Sequence, residues 1–293
     1  MSTHGILLLD KPSGLTSNAV LSRAKRILNI KKAGHTGALD PMANGLLPLC
    51  FGQATKVSQF LLESDKQYLA DIRLGQTTNS GDADGEVLEE REIPELTRQQ
   101  IEAVLEPFRG PIEQIPPMVS ALKHKGKRLH ELARAGIEVE RKPRKVTIHQ
   151  LDLLDFDQNR LTVRVACSKG TYIRSLAMDI GESNDCGAHL SALRRERSGL
   201  FALEQAVSMD KLSDLSCDDA RALLIAPDQA LSDLPSIELT PEQTTALRHG
   251  QPVRTNEDQT ELARIYSDEE FIGIGSIDEF GVLKSRRLFN LSD

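Results

Sequence analysis

The sequence predicts an α+β protein, with a mixed sheet and flanking helices followed by a small β-rich module. Apolar runs of strand length and helical stripes interleave along the first two thirds of the chain without a steady β-α-β rhythm. The 293 residues are long enough for two domains at the usual ~150 residues each. Pro and Ser interrupt the pattern between Leu231 and Ser236, and beyond them only short strand-like runs alternate with turns. The expected division is residues 1–230 and residues 236–293.

In chain order, Gly5 to Leu9 is an apolar strand that ends at the turn-forming DKPSG. Val20, Leu21, Ala24, Ile27 and Leu28 follow at helical spacing, with Thr16 or Ser17 as the N-cap. Leu46 to Phe51 reads as a buried strand, and Ala54, Val57, Phe60 and Leu61 as a second amphipathic helix. Alternation from Tyr68 to Leu74 puts Tyr68, Ala70, Ile72 and Leu74 on one strand face. Residues Asn79 to Gly85, rich in Gly and Asp, form a loop, and Ile101, Val104, Leu105 and Phe108 mark a helix closed by Gly110-Pro111. Val146–Phe156 and Leu161–Cys167 are strands, and Ile173, Leu176, Ala177 and Ile180 form a helical stripe ending at Gly181. Ala263–Tyr266, Phe271–Ile277 and Val282–Leu283 are the strand runs of the last module.

Charge is divided unevenly. From Phe201 onward there are 18 acidic and 8 basic residues, which leaves 25 acidic and 28 basic before it. The richest basic stretch, Lys123 to Lys145, holds nine Lys and Arg against three Glu. A local field of this kind suits an anionic partner whatever the whole-chain net charge of −7. A solvated helix face with flanking loops is the other reading of that stretch. Cys50, Cys167, Cys186 and Cys217 are widely spaced with no C-x-x-C pair, against both a zinc site and a disulfide framework. No signal-peptide pattern opens the chain and no apolar run nears ~18 residues, so a reduced cytoplasm and no membrane contact are expected. No exposed apolar repeat suggests a dimer seam, so a monomer is expected.

The segment GHTGALDPMANGLLP, Gly34 to Pro48, holds a single carboxylate, Asp40, among residues unsuited to a helix or regular strand. Gly34, Gly37 and Gly45 permit backbone conformations closed to other residues, and Pro41 stiffens the chain straight after the acid. A lone acid on a stiff loop docked against a core strand can hold one reacting group still. An Asp in such a loop also commonly caps a turn.

This segment resembles the catalytic loop of the bacterial tRNA pseudouridine-55 synthases, the TruB family. So, in the family's order, do Asp10-Lys11-Pro12-Ser13-Gly14 with Thr16-Ser17, Lys66-Gln67-Tyr68, SKGTYIRSL from Ser168 and GAHLSALRR from Gly187. The resemblance runs from about Gly5 to about Gly199 and more weakly beyond. It implies the pseudouridine synthase fold, a mixed and mainly antiparallel sheet, with a PUA-like RNA-binding module at the C-terminal end. The net negative charge of that module speaks against strong RNA binding by it.

The implied reaction is isomerisation of uridine 55 to pseudouridine in the T-loop of tRNA, without cofactor or metal. The N-glycosidic bond is cut, the uracil turns in place, and C5 bonds to C1′. Asp40 would be the catalytic acid, either attacking C1′ or removing a ribose proton. A partly buried carboxylate needs a cation nearby, and Arg174, just after Ser168-Lys169-Gly170-Thr171, offers a planar fork for it. Taken alone, Arg174 would be a surface helix residue, Tyr68 and Leu193 core, and His35 a turn residue. The resemblance makes Tyr68 the catalytic ring stacked on the flipped uracil, its hydroxyl placed for the final proton removal at C5, and Leu193 the apolar wall of its pocket. It makes His35 a stacking group in the opened T-loop. Lys11, in a tight loop, is expected at a phosphate, and Lys56 and Asp82 fall at family-like positions. Two other functions compete: a tRNA-binding or remodelling protein without essential chemistry, and a synthase for another RNA.

Overall fold

The computed structural model describes residues 3–120 and 122–291. The side chains of Lys123, Arg128, His130 and Arg134, part of the basic stretch, lie outside the described residues. The first part of the chain runs β1 (Gly5–Lys11), α1 (Ser17–Leu28), β2 (Ala33–His35), β3 (Asn44–Phe51), α2 (Ser58–Glu63) and β4 (Lys66–Leu74). Next come β5 (Gln76–Thr78), β6 (Val87–Glu90), α3 (Arg98–Leu105), β7 (Gly110–Gln114), β8 (Lys123–His124), β9 (Lys127–Arg128) and α4 (Leu129–Arg134). Then follow β10 (Arg144–Asp157), β11 (Arg160–Cys167), α5 (Ile173–Glu182), β12 (Ala188–Ser198), β13 (Phe201–Ala202) and β14 (Val207–Ser208). After α6 (Met209–Asp214) and α7 (Cys217–Ala222), the last part holds β15 (Ser236–Glu238), α8 (Pro241–Arg248), β16 (Val253–Arg254), β17 (Thr260–Ser267), β18 (Glu270–Ile277) and β19 (Val282–Leu288).

One large sheet carries the order β14-β1-β3-β12-β4-β11-β10-β7, and a five-stranded sheet the order β15-β17-β18-β19-β16. In the large sheet β1 with β14 and β3 with β12 are parallel, and the other pairs are antiparallel. The α+β, mainly antiparallel architecture expected from the sequence is therefore present.

The continuous apolar run of β1 has a simple cause, burial on both faces. Ile6 and Leu8, with Leu46 and Cys50 of β3, pack into one cluster that also takes Phe271, Ile274 and Phe289 from the last part of the chain. Leu7 and Leu9, with Leu47, Leu49 and Phe51, face Val20, Leu21, Ala24 and Leu28 of α1. Helix α1 starts where the Thr16 hydroxyl accepts from the Ala19 N–H, and ends at Asn29 in the left-handed region, φ 52°. The helix expected from Ala54 to Leu61 is split into a 3₁₀ turn, Gly52–Lys56, and α2. Lys56, at the end of that turn, reaches the last part of the chain: its ammonium donates to the Leu288 carbonyl at 2.6 Å and rests 5.3 Å from the Phe289 ring centre, tying the two sheets together.

A third cluster lies beneath β4, β10, β11 and β12, where Ala70, Ile72 and Leu74 meet α3 and α5. Helix α5 buries Ile173, Leu176, Ala177 and Ile180 as the stripe predicts, but it buries Arg174 as well. Among the described residues no helix is long and apolar enough to cross a membrane.

Candidate active site

The Asp40 loop is shorter than the glycine pattern suggests. Gly34 lies inside β2, opposite Cys50, and Asn44 already belongs to β3. Residues 36–43 cross between the two strands. Gly37 (φ +117°) and Gly45 (φ +100°) stand at the loop's ends, in a backbone region that favours glycine.

The DKPSG turn and the start of α1 hold this loop from behind. Ser17 clamps Leu39 in both directions, its hydroxyl donating to the carbonyl at 3.1 Å and accepting from the N–H at 2.8 Å. Gly14 N–H donates to the Pro41 carbonyl at 2.8 Å, and Ser13 Oγ to that of Met42 at 2.8 Å. Lys11 is fully buried, and its ammonium donates to the carbonyls of Pro12 (2.9 Å), Pro41 (3.3 Å) and Ala43 (2.6 Å). The expectation of a phosphate contact at Lys11 is therefore corrected: all three N–H groups are spent on backbone carbonyls, two of the loop and one of its own turn. Burial pushes this ammonium down to about 8, only partly offset by Asp40.

On the other side of the loop lies a cleft of about 330 Å³, lined by Asp40, Tyr68, Arg174 and Leu193 among others. Arg174 Nε meets Asp40 Oδ2 at 2.9 Å, and Nη2 donates to Oδ1 at 3.2 Å, a two-pronged contact. The guanidinium is 3% exposed while the Asp40 side chain is 37% exposed, so the carboxylate faces the cleft and its partner sits behind. Arg174 also donates to the Ser80 carbonyl at 2.9 Å and the Val119 carbonyl at 2.8 Å, and lies 3.5 Å from Asp82 Oδ2. Desolvation raises the Asp40 carboxyl above its ordinary 3.8; Arg174 pulls it back down and Asp82 adds to the rise.

Tyr68 and Leu193 are brought to the same cleft from neighbouring strands, with Leu193 opposite Ala70. Burial pushes the ionisation of the Tyr68 hydroxyl up, and the Arg195 charge pulls it partly back down. His35 stands in β2 opposite Leu49, outside the cleft's lining. Its Nδ1 is buried without a hydrogen-bond partner, and burial and Arg195 lower its basicity, so the ring is neutral at pH 7. Asp82, 4% exposed, bonds Ser80 and the Asp84 N–H besides facing Arg174.

Two cleft residues escaped the reading of the sequence. Tyr172 lines the cleft, its N–H donating to Gln114 Oε1 at 3.0 Å and its carbonyl accepting from Gln114 Nε2 at 3.3 Å. Lys66 caps α2, donating to Leu61 (3.1 Å), Leu62 (2.9 Å) and Ser64 (2.5 Å), and burial pushes it down to about 8. The only signal for either was its place inside a quoted motif.

A single cleft-facing carboxylate backed by a guanidinium and flanked by an aromatic ring and an aliphatic wall, on this sheet, defines a pseudouridine synthase. Comparison with known proteins supplies the family. Residues 25–173 match the model "TruB family pseudouridylate synthase (N terminal domain)". Residues 174–232 match "tRNA pseudouridylate synthase B C-terminal domain", and residues 235–289 "Pseudouridine synthase II TruB, C-terminal". The tRNA pseudouridine synthase B of Nitrosococcus oceani is 50% identical over 290 residues, covering 97% of this chain and 94% of its own. Among solved structures, a Cbf5-Nop10-Gar1 complex aligns with a TM-score of 0.74 at 27% identity, over 98% of this chain and 85% of that one. An H/ACA RNP bound to a substrate RNA containing 2′-deoxyuridine aligns with a TM-score of 0.72 at 25% identity, over 98% and 85%. The chain belongs to the TruB family of pseudouridylate synthases, and it is an isomerase.

Proposed function

We propose that this chain converts uridine 55 in the T-loop of tRNA to pseudouridine, with Asp40 as the catalytic carboxylate. The observation that carries the reading is the two-pronged Arg174–Asp40 contact at the floor of a cleft that Tyr68 and Leu193 also line. The cation keeps an acid in a desolvated cleft ionised, as the work on the ribose requires. Tyr68 offers a flat surface to a uracil taken out of its stack, and Leu193 adds an apolar wall from the neighbouring strand. The released base is thereby kept in the cleft while C5 replaces N1 at C1′. His35, as a neutral ring, suits stacking on a displaced base.

The flipped base costs a few kcal/mol, which contacts to the RNA backbone must offset. Lys125, Lys127, Lys142, Arg144 and Lys145 are exposed on the segment between β7 and β11 whose Val119 carbonyl reaches Arg174. They supply the positive field for the stem phosphates. The proposed division of labour places the chemistry in residues 1–230 and a PUA-like module in residues 236–293. The substrate named for the Nitrosococcus relative, tRNA, favours tRNA over other RNAs here. The protein acts as a monomer in the cytoplasm on this reading.

The test is tritium release from an unmodified tRNA transcript labelled at C5 of uridine. Wild type should release tritium with the change mapped to position 55, and Asp40→Asn should release none while binding tRNA about as tightly. Bound tRNA without release by either protein would make the chain a remodelling protein. Loss of binding with activity in Asp40→Asn would make Asp40 a structural residue.

A further inference from the structure

Arg195 heads the fully buried large side chains, at 1% exposure, and the proposed reaction does not use it. Among the described residues it forms no ion pair with a carboxylate. A lone cation in a core is expensive, and an apolar residue of similar volume generally fills such a place at less cost. Two of its N–H groups are spent on particular acceptors. Nε donates to the Leu46 carbonyl at 2.6 Å and Nη2 to the Gly37 carbonyl at 3.1 Å. Gly37 and Leu46 bracket the Asp40 loop, so one side chain spans both its ends.

The backbone repeats the arrangement. Arg195 is the β12 residue that stands opposite Gly45 on one side and opposite Tyr68 on the other. The approach to Gly45 is so close that a Cβ there would lie 2.4 Å from the Arg195 carbonyl oxygen. Loop, strand and ring are thus indexed to a single position.

We propose that Arg195 is a positioning residue of the reaction, its guanidinium holding both ends of the Asp40 loop beside the strand position that faces Tyr68, so that ring and carboxylate keep one spacing. The proposal rests on Tyr68 being the base-facing ring of the proposed function. The charged and titratable groups facing Tyr68 are Arg195 from β12, Cys167 from β11 and Asp40 from the loop. Lys66, on Tyr68's own strand, is turned to the carbonyls that end α2. Arg195 is the cation among those facing groups, so its removal takes away what favours the phenolate.

The chain has three tyrosines, so 3-fluorotyrosine labelling reduces the experiment to three ¹⁹F signals. Tyr266, in β17, serves as the internal control. In Arg195→Gln the Tyr68 signal is expected to titrate at higher pH than in wild type, with Tyr266 unmoved. The kcat for tRNA should fall roughly ten- to a hundredfold with KM nearly unchanged, as for a misplaced catalytic geometry. Arg195→Lys, which keeps the charge but cannot reach both carbonyls with a planar fork, should shift both readouts in the same direction by less. It supplies the reading if the Gln variant does not fold. A Tyr68 titration that stays at its wild-type position overturns the proposal, even if activity or melting temperature falls, because Arg195 is then only structural. A rise in KM with kcat intact overturns it too. The titration needs no turnover, so it is decided separately from whether wild type releases tritium.

Discussion

Replacing Arg174 by methionine removes the cation between two carboxylates and leaves its volume nearly filled. Its partner Asp82 has a side chain 6% exposed, whereas Asp40 at 37% can turn toward water. Breaking a buried pair from one side costs about 3–5 kcal/mol, because the remaining charge stays uncompensated. The Ser80 and Val119 carbonyls lose their donor as well, and each costs up to about 1–3 kcal/mol if water does not reach it. A loss of about 4 kcal/mol follows, a large share of the roughly 5–15 kcal/mol that stabilises most domains. The Asp82 charge also gives a sign to check. Alone, Asp82→Asn takes a carboxylate away from Arg174 and should destabilise. In the Arg174→Met background it removes an orphaned charge and should stabilise, by about 1–3 kcal/mol. Urea unfolding followed by circular dichroism suits a chain without tryptophan. A loss below about 1 kcal/mol for Arg174→Met, or an Asp82→Asn effect of the same sign and size in both backgrounds, would refute the reasoning.

Three further outcomes are expected. The folded Asp40 carboxyl lies above its ordinary 3.8, chiefly through desolvation, so its ionised fraction falls as pH drops through that raised value. The acid limb of kcat/KM should therefore lie above pH 3.8, and a limb at or below it would contradict the assignment. Lys11 titrates at about 8 when folded against 10.5 ordinarily, so between those values the unfolded chain binds more protons. Stability of wild type relative to Lys11→Met should accordingly rise as pH goes from 8 to 10.5, read from urea midpoints. Gly45→Ala drives a Cβ to 2.4 Å from the Arg195 carbonyl oxygen at φ +100°, and overpacking of this kind costs about 1–3 kcal/mol. A melting temperature equal to wild type would show that the β3–β12 contact is looser than described.

What was legible in the sequence follows from how local each signal is. Alternation and helical stripes located β4, α1, α5 and β17, β18 and β19 of the C-terminal sheet, because one face of each is buried in a periodic way, whereas the short β15 and β16 left no such signal. Asp40 stood out because glycine and proline punctuate its loop, although Gly34 turned out to be strand. Lys11 was misjudged for a physical reason: a lysine beside Pro-Ser-Gly looks like an exposed turn, and only the return of residues 41–43 across it makes it core. Arg195 gave no periodic signal at all, since strand alternation says which face a residue takes but not which distant carbonyls wait there. The contact Lys56 makes at the break between the 3₁₀ turn and α2 was equally hidden, since it is to a carbonyl 232 residues away.

The two-sided burial of β1 and β3 also bears on how the protein is made. Ile6, Leu8, Leu46 and Cys50 emerge early from the ribosome, yet Phe271, Ile274 and Phe289, which cover them, are translated near the end. Until then the nascent chain carries a bare apolar face on strands already competent to pair. During that interval the chain is open to aggregation and to chaperone capture. The five-stranded sheet is therefore a late seal on the first strands of the enzyme, and truncating it should lower soluble yield before any effect on RNA could be measured.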